Sequence, residues 1–302
     1  MGDGPLAVSH RDGGAWLTLD RPGKRNALSD ELLAALDTAL DEARDDDDVA
    51  CVVLAGTEAA FSSGYDLVEE VTADPPDAAA WYDRLDRYVR LTTRVVEYPK
   101  PVVAVVRGWC LAGGFELAMA ADLVYATPDA HFGEPEIQHG SGPVTLVMPF
   151  VVGWRRAAEL LLLGRVIDAT SAREAGMVTE VVDADGIDEH VTAVCRHLAT
   201  TPQAALRFTK QALIAARRAT GTTTAFDANL ALHAVLNGSP TPEKLAFDAI
   251  VRDAGLRAAL AWRAERYTQA PAPPTTVQPS PDEAAPTEPR GDGRHDVTVT
   301  GR

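Results

Sequence analysis

Basic residues are in short supply. The 302 residues carry 28 Lys and Arg against 44 Asp and Glu, a formal net charge of −16. Such a chain repels phosphate backbones, and its densest basic spot is the single pair Arg217-Arg218, so no nucleic-acid partner is expected. Cysteine is scarce as well. Cys51, Cys110 and Cys195 are too few and too scattered for a disulfide framework or a zinc site. No run approaches the roughly 20 apolar residues that cross a bilayer. The start, Met1-Gly2-Asp3-Gly4-Pro5, lacks the basic-then-apolar pattern of a signal peptide. These shortages predict a reduced, cytoplasmic chain with no membrane partner and no metal. What is present in quantity is apolar: 46% of the residues, enough for a sizeable core.

The pattern along the chain alternates. Ala15–Leu19 reads as a strand, followed by a turn-rich loop over Asp20–Ala27. Ser29 is a good N-cap, and apolar residues at 32, 33, 36 and 40 have helical spacing. The acidic run Asp45–Asp48 reads as a solvated loop, since four adjacent carboxylates repel one another and lack ligand spacing. Val49–Ala55, Val102–Val106 and Asp122–Ala126 are apolar runs typical of strands buried on both faces. Ala78–Val96 has helical spacing. Together these predict an α/β protein over residues 1–200. From Pro202 to Tyr267 the strands stop, and residues 201–268 read as a helical region with amphipathic spacing over Ala225–Leu236 and Ala246–Trp262. Residues 269–302 are Pro-rich with little apolar content, a composition that predicts a disordered tail.

Two glycine turns follow buried strands: Phe61-Ser62-Ser63-Gly64-Tyr65-Asp66-Leu67 and Trp109-Cys110-Leu111-Ala112-Gly113-Gly114-Phe115-Glu116-Leu117. In the second a helix starts just after the glycines and runs without a breaker from Phe115 to Ala121. Free N–H groups and the dipole at a helix start suit an oxyanion or a phosphate. The glycine spacing is that of neither a Walker loop nor a dinucleotide fingerprint. Glu116 sits among apolar neighbours, where a carboxylate is either paired or functional. Desolvation raises its pKa and equips it for proton transfer near neutrality. A second carboxylate cluster follows at Phe132-Gly133-Glu134-Pro135-Glu136. Two carboxylates beside an oxyanion site suggest proton transfer next to a carbonyl.

In this order, these pieces resemble the enoyl-CoA hydratase/isomerase (crotonase) superfamily. Also matching are Leu19-Asp20-Arg21-Pro22, Asn26-Ala27-Leu28, Val52-Val53-Leu54-Ala55-Gly56, Pro101-Val102, Gly108 and Ala121-Asp122, so the resemblance covers about residues 10 to 268. It implies an α/β spiral of repeated β-β-α units with a C-terminal helical oligomerisation region that builds a homotrimer, usually paired into a homohexamer. It implies an acyl-CoA substrate, with CoA as part of the substrate and no other cofactor. By motif position the thioester oxygen is held by the backbone N–H groups of Tyr65 and Gly113. The family's two glutamates match Glu116 and Glu136, whereas Glu134 falls at the variable position before Pro135. Arg25 is a partner for CoA phosphates, and Ser63, Asp66 and Leu67 border the adenine. The implied reaction is hydration of a 2-enoyl-CoA. Its rivals are double-bond isomerisation or β-diketone C–C hydrolysis through the same enolate, or a catalytically silent assembly protein. One departure stands out. The loop Ile137-Gln138-His139-Gly140-Ser141-Gly142-Pro143-Val144-Thr145 replaces the family's glycine-rich loop near the acyl pocket. Gln138, His139 and Ser141 there point to a polar or cyclic acyl group.

Overall fold

The structure is a computed structural model and describes residues 4–57 and 59–268. The expected disordered tail lies outside the described residues. The strands are β1 (Leu6–Arg11), β2 (Gly14–Leu19), β3 (Cys51–Ala55), β4 (Ala60–Ser62), β5 (Val102–Val106), β6 (Trp109–Leu111), β7 (Leu123–Ala126), β8 (His131–Gly133), β9 (Val166–Asp168) and β10 (Glu180–Val181). The helices up to residue 200 are α1 (Asp30–Asp45), α2 (Leu67–Ala73), α3 (Ala78–Val96), α4 (Gly113–Ala120), α5 (Met148–Val152), α6 (Trp154–Leu163), α7 (Ala169–Glu174) and α8 (Ile187–Thr200). After them come α9 (Gln203–Ala219), α10 (Thr222–Gly238), α11 (Pro242–Ala254) and α12 (Leu256–Thr268).

The chain winds as a spiral. Each turn leaves one strand in a six-stranded sheet of order β1-β2-β3-β5-β7-β10 and the next in a four-stranded sheet of order β4-β6-β8-β9. The β3-β4, β5-β6 and β7-β8 pairs mark successive turns, with α2 and α3 after the first and α4 within the second. This is the β-β-α repeat expected from the sequence. The central strands read as solid apolar runs because both faces of the large sheet are covered. Ala15, Leu17, Val52, Leu54, Val102 and Ala104 face the core under α1, α3 and α4. Their alternates Trp16, Cys51, Val53, Val103 and Val105 meet Ile187, Val191 and Cys195 of α8. Ser29 caps α1 through Oγ, which accepts from Leu32 N at 3.2 Å.

Several boundaries differ from the sequence reading: β3 begins at Cys51 rather than Val49, and α4 begins at Gly113 itself rather than after the glycines. The acidic run is no loop throughout, because Asp45 closes α1. Asp122 stays outside β7. Its carboxylate accepts from Val102 N at 2.8 Å and binds Lys210 Nζ at 2.5 Å, which fixes the entry of β5 against α9. The amphipathic stretch Ala246–Trp262 is two helices, since Gly255 takes φ +84° between α11 and α12. That positive φ, with ψ 164°, is open to glycine because it has no Cβ, and it turns α12 back toward the body. The helical region is tightly joined to the spiral: a Cβ on Gly238 of α10 would lie 2.5 Å from Ala78 N of α3. Among the described residues, no helix is long and apolar enough to cross a membrane.

Candidate active site

The two glycine turns touch. Gly64 takes φ +98°, and a Cβ there would lie 2.5 Å from Ala112 Cβ and 3.3 Å from Gly113 N. The next residue, Tyr65, forms an isolated parallel bridge with Leu28. Leu28 N donates to Gly64 O at 2.8 Å and Asp66 N to Leu28 O at 3.1 Å. Alternation along an extended backbone therefore turns Tyr65 N–H away from Leu28. Gly113 is the first residue of α4, so its N–H is one of the orphan donors of a helix start. Ala112 before it is held at φ 54°, ψ −132°, a conformation costly for a residue with a Cβ and characteristic of sites that aim backbone groups. The bends bring two donor-bearing turns together.

The side chain of Tyr65 does a second task. Its ring stacks on Tyr88, with centroids 3.8 Å apart and planes 11° apart. It also covers Gly113, where an added Cβ would fall 2.4 Å from the ring. Its hydroxyl donates to Glu116 Oε2 at 3.1 Å, and Thr145 N donates to Oε1 at 2.7 Å. Glu116 is fully buried on α4. Burial pushes its carboxyl up to about 7, and the Thr145 amide and Tyr65 hydroxyl hold it back from going higher.

Glu136 sits on a short 3₁₀ turn, Pro135–His139, which Gly140 ends at φ +84°. Its Oε2 is buried without a partner among the described residues. Burial first, and then the charge of Glu116, push it well above the ordinary carboxylate range, while Arg263 of α12 opposes them. Glu134, which the sequence reading set aside, is also buried, with neither carboxyl oxygen partnered among the described residues. Burial and the charges of Glu116 and Glu136 push it well up too. Glu136 lines the cavity wall, whereas Glu134 and Glu116 do not; of those two, only Glu116 is bonded to a wall residue, Tyr65.

A cavity of about 620 Å³ opens in front of these groups, lined by Arg25, Ser63, Tyr65, Asp66, Leu67 and Glu136 among others. Gly113 follows the wall residue Ala112 in the chain, and Glu116 is bonded to the wall residue Tyr65. Asp66 is largely committed within the chain. Its carboxylate caps α2 by accepting from Val68 N at 3.2 Å and pairs with Arg21 at 3.0 Å. Arg25 sits in a left-handed turn at φ 50°, and its carbonyl accepts from Ser63 N at 3.0 Å. Sequence reasoning missed Glu70 of α2, His233 and Asn237 of α10, and Leu256, Arg257, Leu260 and Arg263 of α12, all on the cavity wall. His233 and Asn237 are four residues apart, so one helix face carries both; that spacing was the available signal.

The sequence pattern described as Enoyl-CoA hydratase/isomerase matches residues 10–239. The chain belongs to this family. A solved enoyl-CoA hydratase/isomerase from Xanthobacter autotrophicus Py2 is 40% identical, with a TM-score of 0.85 over 87% of this chain and 98% of that one. The 1,2-epoxyphenylacetyl-CoA isomerase of Escherichia coli (strain K12) is 35% identical over 213 residues, 68% of this chain and 80% of the relative. The 4-chlorobenzoyl coenzyme A dehalogenase-1 of an Arthrobacter species is 34% identical over 205 residues, 66% and 74% of the two chains. These names cover different reactions, so membership of the family sets the scaffold and leaves the reaction to the side chains.

Proposed function

We propose that this protein, as a cytoplasmic enzyme, hydrates a 2-enoyl-CoA thioester to the 3-hydroxyacyl-CoA and runs the reverse dehydration. The observation that carries the reading is the unequal hydrogen bonding of two buried carboxyls, Glu136 on the cavity wall and Glu116 bonded to the wall residue Tyr65. Glu116 receives two donors, which favour its carboxylate. Glu136 has a buried oxygen with no donor, which favours the protonated acid.

In this reading the thioester oxygen sits between Tyr65 N–H and Gly113 N–H. Polarisation makes C3 electrophilic. Glu116, ionised, takes a proton from water as oxygen adds to C3. Glu136 delivers a proton to C2. Negative charge grows on the thioester oxygen during the step, so both amides bind the transition state more tightly than the ground state. Each such donor is typically worth about 3 kcal/mol of barrier. Arg25, at the mouth, meets the CoA phosphates, while Ser63 and Leu67 border the adenine.

The proposal extends to a homotrimer, doubled to a hexamer. Trp154, Phe208 and Leu232 are 76%, 79% and 72% exposed on the single chain, and large apolar side chains this bare favour burial between subunits.

The test is incubation with crotonyl-CoA, following loss of the conjugated thioester absorbance and gain of one water by mass. Turnover that disappears in both Glu116→Gln and Glu136→Gln is the expected result. Binding of crotonyl-CoA with no hydrated product would overturn it.

A further inference from the structure

The far side of the cavity carries hydrogen-bonding groups that the hydration step does not use. Ser141, His233 and Asn237 all line it. His233 Nδ1 lies 3.0 Å from Pro143 O, and its Nε2 lies 3.0 Å from Ser141 Oγ. A carbonyl oxygen only accepts, so Nδ1 carries the ring proton. The bare Nε2 then accepts from the Ser141 hydroxyl. Burial holds the His233 pKa below its ordinary 6.5, in keeping with this neutral tautomer. The hydroxyl hydrogen of Ser141 is thereby committed, and Ser141 has only lone pairs left to offer.

Asn237 lies one helical turn beyond His233. It is 4% exposed, and its Oδ1 is buried with no partner among the described residues. Two oxygens of wall residues, Ser141 Oγ and the buried Asn237 Oδ1, therefore have acceptor capacity to spare. Buried acceptors without donors are costly and rare. A plain alkyl chain pressed against this wall would strip water from Ser141 Oγ and leave Asn237 Oδ1, already dry, still unmet.

We propose that Ser141, oriented by His233, and Asn237 form a subsite that selects acyl-CoA thioesters whose acyl group bears a hydroxyl donor. The wall around it is stiff. His139 stacks on Phe247 with centroids 4.7 Å apart, and Asn229 Nδ2 ties α10 to Pro143 O and Val144 O at 2.8 Å each. A rigid site built to pair a hydroxyl discriminates against the analogue lacking it, because the protein's own polar groups are then left unpaired.

The inference rests on the acyl-CoA part of the proposed function and is independent of the hydration step. Its test therefore uses saturated thioesters. Calorimetric titration would compare hexanoyl-CoA with its 4-, 5- and 6-hydroxy derivatives, on wild type, Ser141→Ala and Asn237→Leu. In wild type, at least one hydroxylated chain is expected to bind about tenfold or more tighter than hexanoyl-CoA, the discrimination that neutral hydrogen bonds at a dry site support. That ratio is expected to fall to about twofold or less in each variant. Reading the ratio cancels any general loss of affinity from either substitution. Equal binding of all four thioesters to wild type would overturn this inference and leave hydration standing. A preference that survives in either variant would also overturn it. Failure of all four to bind would overturn the acyl-CoA reading and this inference with it.

Discussion

Tyr65 donates to Glu116 through its side chain and, in the proposed reaction, to the thioester oxygen through its backbone. The phenol donates to Glu116 Oε2 at 3.1 Å, and the amide N–H of the same residue is turned away from its bridge partner Leu28. In the proposed reaction one residue thus couples the base to the carbonyl clamp, and its ring stacks on Tyr88.

Tyr65→Phe keeps the ring and the amide but removes the donor. The hydroxyl lowers the Glu116 pKa from where burial alone would put it, so its loss raises that pKa. The base must be ionised to act. The acidic limb of kcat/KM is therefore expected to move to higher pH, by up to about one unit, since a neutral hydrogen bond is worth about 1 kcal/mol. Activity at pH 6 should fall more than activity at pH 8. A pH–rate profile checks this, and an unmoved acidic limb counts against it.

Glu116→Gln tests the same group through stability. A folded-state pKa of about 7 against an ordinary 4.5 means that folding favours the protonated form. The cost is absent below about pH 4.5, grows as pH rises, and is complete above about pH 7. It amounts to about 3 kcal/mol. The variant, which carries no charge, should match wild type near pH 4.5 and exceed it in denaturant stability at pH 8. Parallel curves at both pH values would contradict the assignment.

Gly113→Ala places a Cβ 2.4 Å from the Tyr65 ring. The ring must move, and with it both the amide clamp and the hydrogen bond to Glu116. A loss in kcat of about 10²- to 10³-fold is expected, the scale of one missing oxyanion donor. Thermal stability should fall too, since the Tyr65–Tyr88 stack is disturbed. Steady-state kinetics and a melting curve check the two halves.

Lys210→Met leaves Asp122 without its buried ammonium partner. The pair is close, with Nζ 2.6 and 2.5 Å from the two carboxylate oxygens, and Lys210 is only 3% exposed. Stranding one partner of such a pair costs about 3 to 5 kcal/mol; Asp122 keeps some solvent access, so about 2 to 3 kcal/mol is expected here. The midpoint of denaturant unfolding reads it.

Much of the spiral is legible in sequence because its central strands are buried on both faces. Val102–Val106 can hardly be anything else, and Ser29 announces α1 by its side chain. Glu116 is legible for a related reason: a carboxylate amid Gly113–Ala120 must be paired or functional. Other features depend on contacts across great chain distances. Nothing near Asp122 signals that Lys210 will pair with it, so its run reads as strand one residue too soon. The backbone turn at Gly255 is invisible to an apolar count that continues through it. His233 and Asn237 look like ordinary polar positions on a helix until the fold lays that helix beside Ser141. The phenol of Tyr65 is likewise visible as a residue, whereas its bond to Glu116 requires the two glycine turns to meet.

The turn at Gly255 also sets an order in time. The acid, the base and both amides are all encoded before residue 140, yet Leu256, Arg257, Leu260 and Arg263 finish the wall. A nascent chain that has emerged only as far as α11 holds every reacting group and no enclosed chamber. In the proposed reaction catalytic competence is thus deferred to the last helix of the described fold, whose residues complete the wall around the thioester.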